Sequence, residues 1–263
     1  QPPIGTDWWD VADLNYDNND MQDAMIESMK FWLETSDIDG FRCDVADWVP
    51  ISFWEKCRVE LEEVKNVFML AEAENPELHN SAFDMTYGWH LHFVMNEIAQ
   101  QKKSSLDIIE YLDIKSKEFN SSDYRLHFTS NHDENSWKGH AKERLGDAVK
   151  TFAALSSTIE GMPLLYGGQE AGLDKRLEFF EKDTILWNNS ELTDFYKILF
   201  NLKKDNKALW NGDYGGNIEI ISSREDSLSL AFIRTKDENK VLTIFNLSDK
   251  KIEIELSSEN LKF

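Results

Sequence analysis

Cysteine is scarce in this chain: Cys43 and Cys57 are the only two among its 263 residues. Cys43 lies in an apolar stretch and Cys57 in a helical pattern, so we expect neither a disulfide framework nor a Cys-x-x-Cys metal site. No run of 18 apolar residues occurs, and no membrane span is expected. The chain begins QPPIG, without an initiator Met or the basic and apolar regions of a signal peptide, which is typical of a cut edge.

Positive charge is scarce as well. Lys and Arg together number 28 against 49 Asp and Glu, which gives a formal net charge of -21. Such a surface repels phosphate backbones and anionic lipid, so nucleic-acid binding is not expected. An acidic surface mostly favours solubility, and it leaves neutral or cationic ligands open.

What the chain does have is a regular alternation of patterns. Up to about residue 211, short apolar runs alternate with stretches whose apolar residues recur every three or four positions, which predicts strand–helix units and a parallel sheet. From about residue 212, NIEIISS, SLSLAFIRT, KVLTIFNL and KIEIEL alternate with a period of two, which predicts a small antiparallel β domain. We therefore expect an α/β domain over residues 1–211 and an all-β domain over residues 212–263.

The stretch GFRCDVADW, residues 40–48, places Arg42 two residues before Asp44. Side chains alternate along a strand, so both charges face one way, while Phe41 and Cys43 face the other. In a parallel barrel the outward face packs on helices and the inward face ends at the active site. A structural salt bridge at a strand end is the alternative, and this strand alone does not decide between them.

Two further predicted strands also end in acidic residues. VFMLAE ends in Glu72, and FTSNHDE ends in Asn131, His132 and Asp133. A lone Glu after a strand is usually a loop residue. Acidic residues at the C-terminal ends of three strands are instead typical of a barrel enzyme, because such enzymes build their sites at that end.

Four motifs in this order resemble those of the α-amylase family, glycoside hydrolase family 13. They are GFRCDVADW for strand four, FMLAEAENP for strand five, FTSNHDENSW for strand seven and GMPLLYGGQEAG for strand eight. The resemblance extends from about Asp7 through the terminal β domain. It implies that residues 1–211 are the C-terminal part of a (β/α)8 TIM barrel, about strands 4–8, followed by the small antiparallel β domain.

The resemblance also implies the catalytic roles. Asp44 resembles the nucleophile, Glu72 the general acid/base, and Asp133 the carboxylate that binds sugar hydroxyls and stabilises the transition state. Glu74 lies close to Glu72 on the same face, but Glu72 fits the end of MLAE as the family motif does. In a retaining glycosidase these two carboxyl groups lie roughly 5 to 5.5 Å apart, and Arg42 would keep Asp44 ionised in a dry pocket.

Four residues are predicted to contact the substrate: Arg42, Asn131, His132 and Trp48. His132 resembles a ligand of a sugar hydroxyl, and Trp48 is one of several tryptophans in or near loops at the expected site face. The others are Trp8, Trp9, Trp89 and Trp137. Flat rings stack on sugar faces, and packing at the rim or in the core is the alternative for each.

This chain shows no match to the family's first three strands or to its early segment with a sugar-binding His. The chain is therefore expected to be the C-terminal portion of a longer enzyme, weak or inactive by itself, with open barrel edges that favour self-association. No metal ligand is assigned. Calcium is implied only for the full-length parent, because the stretch DLNYDNND lacks EF-hand spacing and suits helix capping.

The expected function is thus a retaining hydrolase of α-1,4-linked glucans or oligosaccharides. A transglycosylase of the same family would carry the same three acids. A non-catalytic amylase-like binding subunit is the alternative from another class, and such subunits often lack the acids found here. Extracellular or periplasmic residence fits polymer-degrading relatives, while the sequence itself leaves the compartment open.

Overall fold

The computed structural model describes residues 5, 6, 8, 11–188, 190–221, 227–254 and 256. The chain divides into two units, Gln1–Thr86 and Tyr87–Phe263. Five parallel strands with helices, together with a small antiparallel sheet, confirm the predicted α/β class. The boundary that the sequence predicts between residues 211 and 212 stays a prediction. Among the described residues, none of the helices has the length and apolar character that a membrane crossing requires.

The first unit carries two helices and the first parallel strands. Its elements are β1 (Gly40–Cys43), β2 (Phe68–Ala71), β3 (Met85–Tyr87, which ends at the unit boundary), α1 (Asn19–Ser36) and α2 (Ile51–Glu62). The strands run parallel in the order β1-β2-β3, with Cys43 opposite Ala71. A side chain at Gly40 would collide with the carbonyl group of Phe68, so only glycine allows β1 to approach β2 this closely.

Packing in the first unit follows the alternation along β1. Cys43 is buried with Ile26 of α1 and Cys57 of α2, on the helix side of the strand. Helix α1 begins where the sequence predicts a cap, because the Asn18 side chain accepts hydrogen bonds from the amides of Asp20 and Met21 at 2.9 and 3.3 Å. One side chain of the DLNYDNND stretch, that of Asn18, thus serves as a helix cap.

The second unit carries the remaining helices, two parallel strands and the antiparallel sheet. The helices are α3 (Trp89–Ala99), α4 (Ser105–Glu118), α5 (Ala141–Leu145), α6 (Val149–Thr158) and α7 (Glu191–Asp205). The parallel strands are β4 (Tyr124–Phe128) and β5 (Met162–Leu164), and the antiparallel sheet has the order β6 (Ile218–Ile220), β7 (Ser229–Lys236), β8 (Asn239–Asn246). The sequence did not predict α5 or the π-helix Glu134–Lys138.

The antiparallel sheet has three strands in the described residues, and the fourth strand predicted at KIEIEL is wrong for residues 251–254 and 256. Leu256 instead packs against the apolar cluster of Ile221, Ala231 and Ile233. The alternation in that run therefore reflects one partly buried face, and such a face can pack without strand pairing.

A buried guanidinium ties β7 to the α/β part of the second unit. Arg234 is 1% exposed, and its five hydrogen bonds all go to main-chain carbonyls, those of Gly216, Thr158, Ile159, Leu209 and Trp210, at 2.5 to 3.2 Å. Burial lowers the pKa of Arg234 to about 10. The antiparallel sheet is thus joined to the end of α6 and to the 3-10 turn after α7, Lys207–Leu209, by a cation whose partners are main-chain oxygens.

Candidate active site

The guanidinium of Arg42 contacts two carboxylates that follow neighbouring strands. Its Nη1 pairs with Oδ1 of Asp44, and its Nη2 lies 3.0 Å from Oε2 of Glu72. Asp44 comes directly after β1 and Glu72 directly after β2, whose last residues are opposite each other in the parallel register. The register therefore brings the predicted nucleophile and the predicted acid/base to one arginine. The sequence indicated the Arg42–Asp44 pair but not that Arg42 also reaches Glu72.

The main chain holds Glu72 in place. Its side chain is 13% exposed, and its Oε2 also accepts a hydrogen bond from the amide of Val45 at 3.0 Å. The amide of Glu72 donates to the carbonyl of Cys43 at 2.9 Å, and the amide of Ala46 donates to the carbonyl of Glu72 at 3.2 Å. These bonds connect the two strand ends, so the carboxylates have a fixed frame.

Val45 has a backbone conformation that valine rarely adopts. Its φ of 43° and ψ of 47° lie in the left-handed region, where a β-branched side chain is a genuine outlier. Strain of this kind costs of order 1–3 kcal/mol and is concentrated at functional sites. Here it turns the Val45 amide toward Glu72 immediately after Asp44.

The sequence predicted a dry pocket around Asp44. This prediction is wrong for the described part of the first unit. The Asp44 side chain is 74% exposed, whereas Arg42 is 28% exposed. The physical reason is the position of β1 in its unit: among the described residues of that unit it pairs with β2 alone. One flank of the strand end therefore remains open to solvent.

Trp48 presents an exposed ring near this pair of strand ends. It lies in a short 3-10 turn, Ala46–Trp48, and is stacked on Trp8 with ring centroids 5.2 Å apart and planes at 22°. Both rings are substantially exposed, at 54% and 42%. Trp54 fixes the turn by donating from its indole nitrogen to the carbonyl of Ala46 at 3.1 Å. Trp9 lies outside the described residues.

In the second unit, the polar residues Asn131, His132 and Asp133 follow β4. His132 Nε2 lies 3.3 Å from Oδ2 of Asp133, with side chains 47% and 33% exposed. Asn131 is 1% exposed, and its Oδ1 accepts a hydrogen bond from the amide of Glu134 at 2.8 Å. The side chain of Asn131 thus shapes the turn that presents His132 and Asp133, and its contact with substrate stays a prediction.

Tyr166, in the glycine-rich loop after β5, is a further residue near Asp133. Burial raises its pKa, and the Asp133 charge raises it further. The sequence indicated the loop but not this phenol. The sequence left Trp89 either as a ring that stacks on sugar or as a packing residue. It packs against Phe128 with ring centroids 5.0 Å apart, which favours the packing role.

A buried ionic network includes Glu134, the residue directly after Asp133, and the sequence did not predict it. His92 is 0% exposed; its Nδ1 lies 3.1 Å from the carbonyl oxygen of Phe128 and its Nε2 lies 2.8 Å from Oε2 of Glu134. A carbonyl only accepts, so Nδ1 donates to it, while Nε2 forms the hydrogen bond with the Glu134 carboxylate. The only sequence signal was an acid placed directly after Asp133.

Arg144 completes the network. Its Nη1 lies 4.0 Å from Oε2 of Glu134, and its three nitrogens donate to the carbonyls of Gly139 and Thr129 and to Oδ1 of Asn96, each at 2.7 Å. Burial raises the pKa of Glu134, but the His92 hydrogen bond and the charges of His92 and Arg144 outweigh it, so the pKa is lowered overall. The start of the π-helix is therefore held by a charged core in which His92, Glu134 and Arg144 each make hydrogen bonds.

The two cysteines are buried free thiols. Cys43 and Cys57 are free, and burial raises the pKa of each thiol to about 12, so both are protonated at neutral pH. No group of three His, Cys, Asp or Glu side chains that could hold a metal ion occurs in the part of the chain that the structure describes. Calcium binding by the full-length parent stays a prediction.

Residues 6–211 match the family model for the alpha amylase catalytic domain. The chain belongs to this family. It is 26% identical over 257 residues to alpha-amylase 2 of Dictyoglomus thermophilum, covering 90% of this chain and 44% of that protein. It is 25% identical over 253 residues to a maltogenic alpha-amylase of Bacillus acidopullulyticus, covering 92% and 42%. The chain thus spans less than half the length of these curated relatives.

A solved alpha-amylase structure has the same fold. The crystal structure of a noncanonic maltogenic alpha-amylase, AmyB from Thermotoga neapolitana, superposes with a TM-score of 0.79 and 25% sequence identity, over 89% of this chain and 55% of that one. The five parallel strands are therefore part of an alpha-amylase barrel fold, as the motifs predicted. That Asp44, Glu72 and Asp133 meet at one glycosidic bond stays a prediction.

Proposed function

We propose that this chain provides the nucleophile and the general acid/base of a retaining hydrolase of α-1,4-linked glucans or oligosaccharides. The observation that carries the proposal is the Arg42 guanidinium, which contacts both Asp44 and Glu72 at adjacent strand ends in a member of the alpha-amylase family. The names of its relatives, a maltogenic alpha-amylase among them, support this substrate class.

In this proposal Asp44 attacks the anomeric carbon and forms a covalent glycosyl intermediate, while Arg42 favours its ionised form. Glu72 gives a proton to the leaving oxygen and then takes one from the attacking water. Oε2 of Glu72 accepts from the amide of Val45 and faces Arg42, which orients the carboxyl group. His132 and Asp133, in the second unit, bind sugar hydroxyls.

The chain corresponds, in this proposal, to the C-terminal portion of such an enzyme, since its motifs resemble those of strands four to eight in the family. The exposed Asp44 is consistent with a site that further residues must cover before the chemistry is protected from water.

We also propose that the open flank of β1 favours self-association. Sedimentation velocity over a range of concentrations tests this, and a strictly monomeric chain contradicts it.

The test is the hydrolysis of maltoheptaose and of 4-nitrophenyl α-maltoside by the complete encoded protein, followed by proton NMR of the first product. A retaining enzyme releases the α-anomer first, and a transglycosylase also yields longer oligosaccharides in the same spectra. Asp44→Asn should lower turnover by a factor of about 10⁴ or more, which at 1.36 kcal/mol per decade is more than about 5 kcal/mol. Asp47→Asn, an exposed acid three residues further along, is the matched control. Full activity of Asp44→Asn rules the assignment out.

A further inference from the structure

Three aromatic side chains of the second unit form a contiguous exposed surface, here called the aromatic platform: Trp137, Phe179 and Phe180. Their ring centroids lie 4.9 Å apart for Trp137 and Phe179, 5.0 Å for Phe179 and Phe180, and 6.0 Å for Trp137 and Phe180. The rings are 53%, 41% and 73% exposed. Single exposed apolar residues are ordinary, but a contiguous patch of this kind marks a contact surface.

The rings are held in position although they are exposed. Asn135, which is 2% exposed, donates from Nδ2 to the carbonyl of Lys175 at 3.2 Å and accepts at Oδ1 from the amide of Leu177 at 2.8 Å. This one side chain joins the π-helix that carries Trp137 to the segment that carries the two phenylalanines. The platform thus combines two segments that are far apart in sequence.

A second side chain closes the loop on which Phe179 and Phe180 lie. Asp183 accepts from Nζ of Lys175 at 2.6 Å, from the amide of Glu178 at 3.1 Å and from the amide of Thr184 at 2.6 Å. These bonds lower the pKa of Asp183 to about 2, so the carboxylate stays ionised in any ordinary buffer. The loop is organised in advance of any ligand, which reduces the entropy lost when one binds.

The platform is continuous with the predicted substrate-binding residues. The ring of His132 lies over the ring of Phe179, with centroids 6.2 Å apart and planes at 22°. A sugar bound at His132 and Asp133 would therefore have an aromatic surface beside it. The net charge of -21 disfavours an anionic partner, whereas a neutral glucan can place its C–H face on the rings and keep its hydroxyls in water.

We propose that Trp137, Phe179 and Phe180 form a stacking subsite for a glucosyl unit of an α-glucan chain, next to the unit bound by His132. The inference rests on the proposed function and adds a preference to it: the platform contributes only to substrates long enough to extend past His132. It therefore selects longer oligosaccharides over short ones.

The test uses the complete encoded protein with Trp137→Ala and Phe180→Ala, and Phe31→Ala as the matched control. Phe31 is 54% exposed and has an aromatic neighbour, Trp32, but belongs to α1 of the first unit. The readouts are the ratio of kcat/KM for maltoheptaose to that for 4-nitrophenyl α-glucoside, and the Kd for maltoheptaose from calorimetry in an Asp44→Asn background.

Each platform variant should lower the kcat/KM ratio and raise the Kd for maltoheptaose about tenfold, which corresponds to about 1.4 kcal/mol. The control should change neither by more than twofold.

If the parent hydrolyses maltoheptaose and the platform variants keep its ratio and Kd, the subsite is refuted while the proposed function stands. Unchanged binding together with a loss of self-association in sedimentation assigns the surface to a second copy instead, and also overturns the proposal. A parent that binds maltoheptaose without hydrolysing it rejects the proposed function, and the Kd values then decide the subsite alone. A parent that does neither rejects both.

Discussion

Replacement of Glu134 by glutamine tests whether the buried network behind Asp133 is ionic. The substitution keeps the shape of the side chain and one carbonyl oxygen, but it removes the negative charge that faces His92 and Arg144. Nε2 of His92 lies 2.8 Å from the affected oxygen and Nη1 of Arg144 lies 4.0 Å from it. Both side chains would remain buried, at 0% and 9% exposure, and the Arg144 guanidinium would lose the nearby charge of residue 134.

The cost follows from that burial. Removing one partner of a buried ion pair typically destabilises a protein by about 3–5 kcal/mol. Because Arg144 keeps its three hydrogen bonds to Gly139, Thr129 and Asn96, we expect the lower end, about 3 kcal/mol for Glu134→Gln. The exposed pairs of the surface contribute much less, about 0–1 kcal/mol each.

The pH dependence has a definite sign. The pKa of Glu134 is lowered in the folded protein: burial raises it, but the His92 hydrogen bond and the nearby cationic charges lower it by more. Its ionised form therefore stabilises the fold fully above the unfolded-state pKa of about 4.3. That contribution is lost as the pH falls through the lower folded-state value, so wild type and Glu134→Gln should converge in acid.

The measurement is urea unfolding followed by circular dichroism at pH 7 and at intervals between pH 5 and 3. Glu97→Gln is the matched control, because Glu97 lies on the same helix as His92 with its side chain 44% exposed. A difference between Glu134→Gln and wild type that stays below about 1 kcal/mol at pH 7, the scale of an exposed pair, would refute the buried ionic network. A stability difference between the two proteins that grows as the pH falls would refute the predicted direction of the pH dependence.

Three further predictions concern other parts of the chain. Arg42→Lys should lower kcat/KM on maltoheptaose by about two orders of magnitude, because an ammonium group lacks the planar fork that spans two carboxylates; a loss below threefold contradicts this. Arg234→Met should destabilise the chain by about 3–5 kcal/mol in urea, since it leaves buried carbonyls unpaired, and a change under about 1 kcal/mol contradicts this. Cys43 and Cys57 should resist iodoacetamide at pH 8 in the native protein and react in urea, as mass spectrometry will show; rapid native labelling contradicts their burial.

Local patterns in the sequence predicted much of the fold. The period of three to four over α1, the alternation in GFRCD and the acids that follow three of the apolar runs are properties of neighbouring residues. They predicted the helix, the helix-facing side of Cys43, and the positions of Asp44 and Glu72 directly after β1 and β2. The order of the four motifs further predicted the family, which the match over residues 6–211 confirms.

The tertiary structure alone decided which distant side chains meet. Arg42 reaches Glu72 because the parallel register sets Cys43 opposite Ala71. The pairing of His92 with Glu134, and of Trp137 with Phe179, joins positions more than 40 residues apart, for which no local period exists. Sequence periodicity reports which face of an element is buried. Contact between elements depends on register and packing, which arise only when the chain has folded.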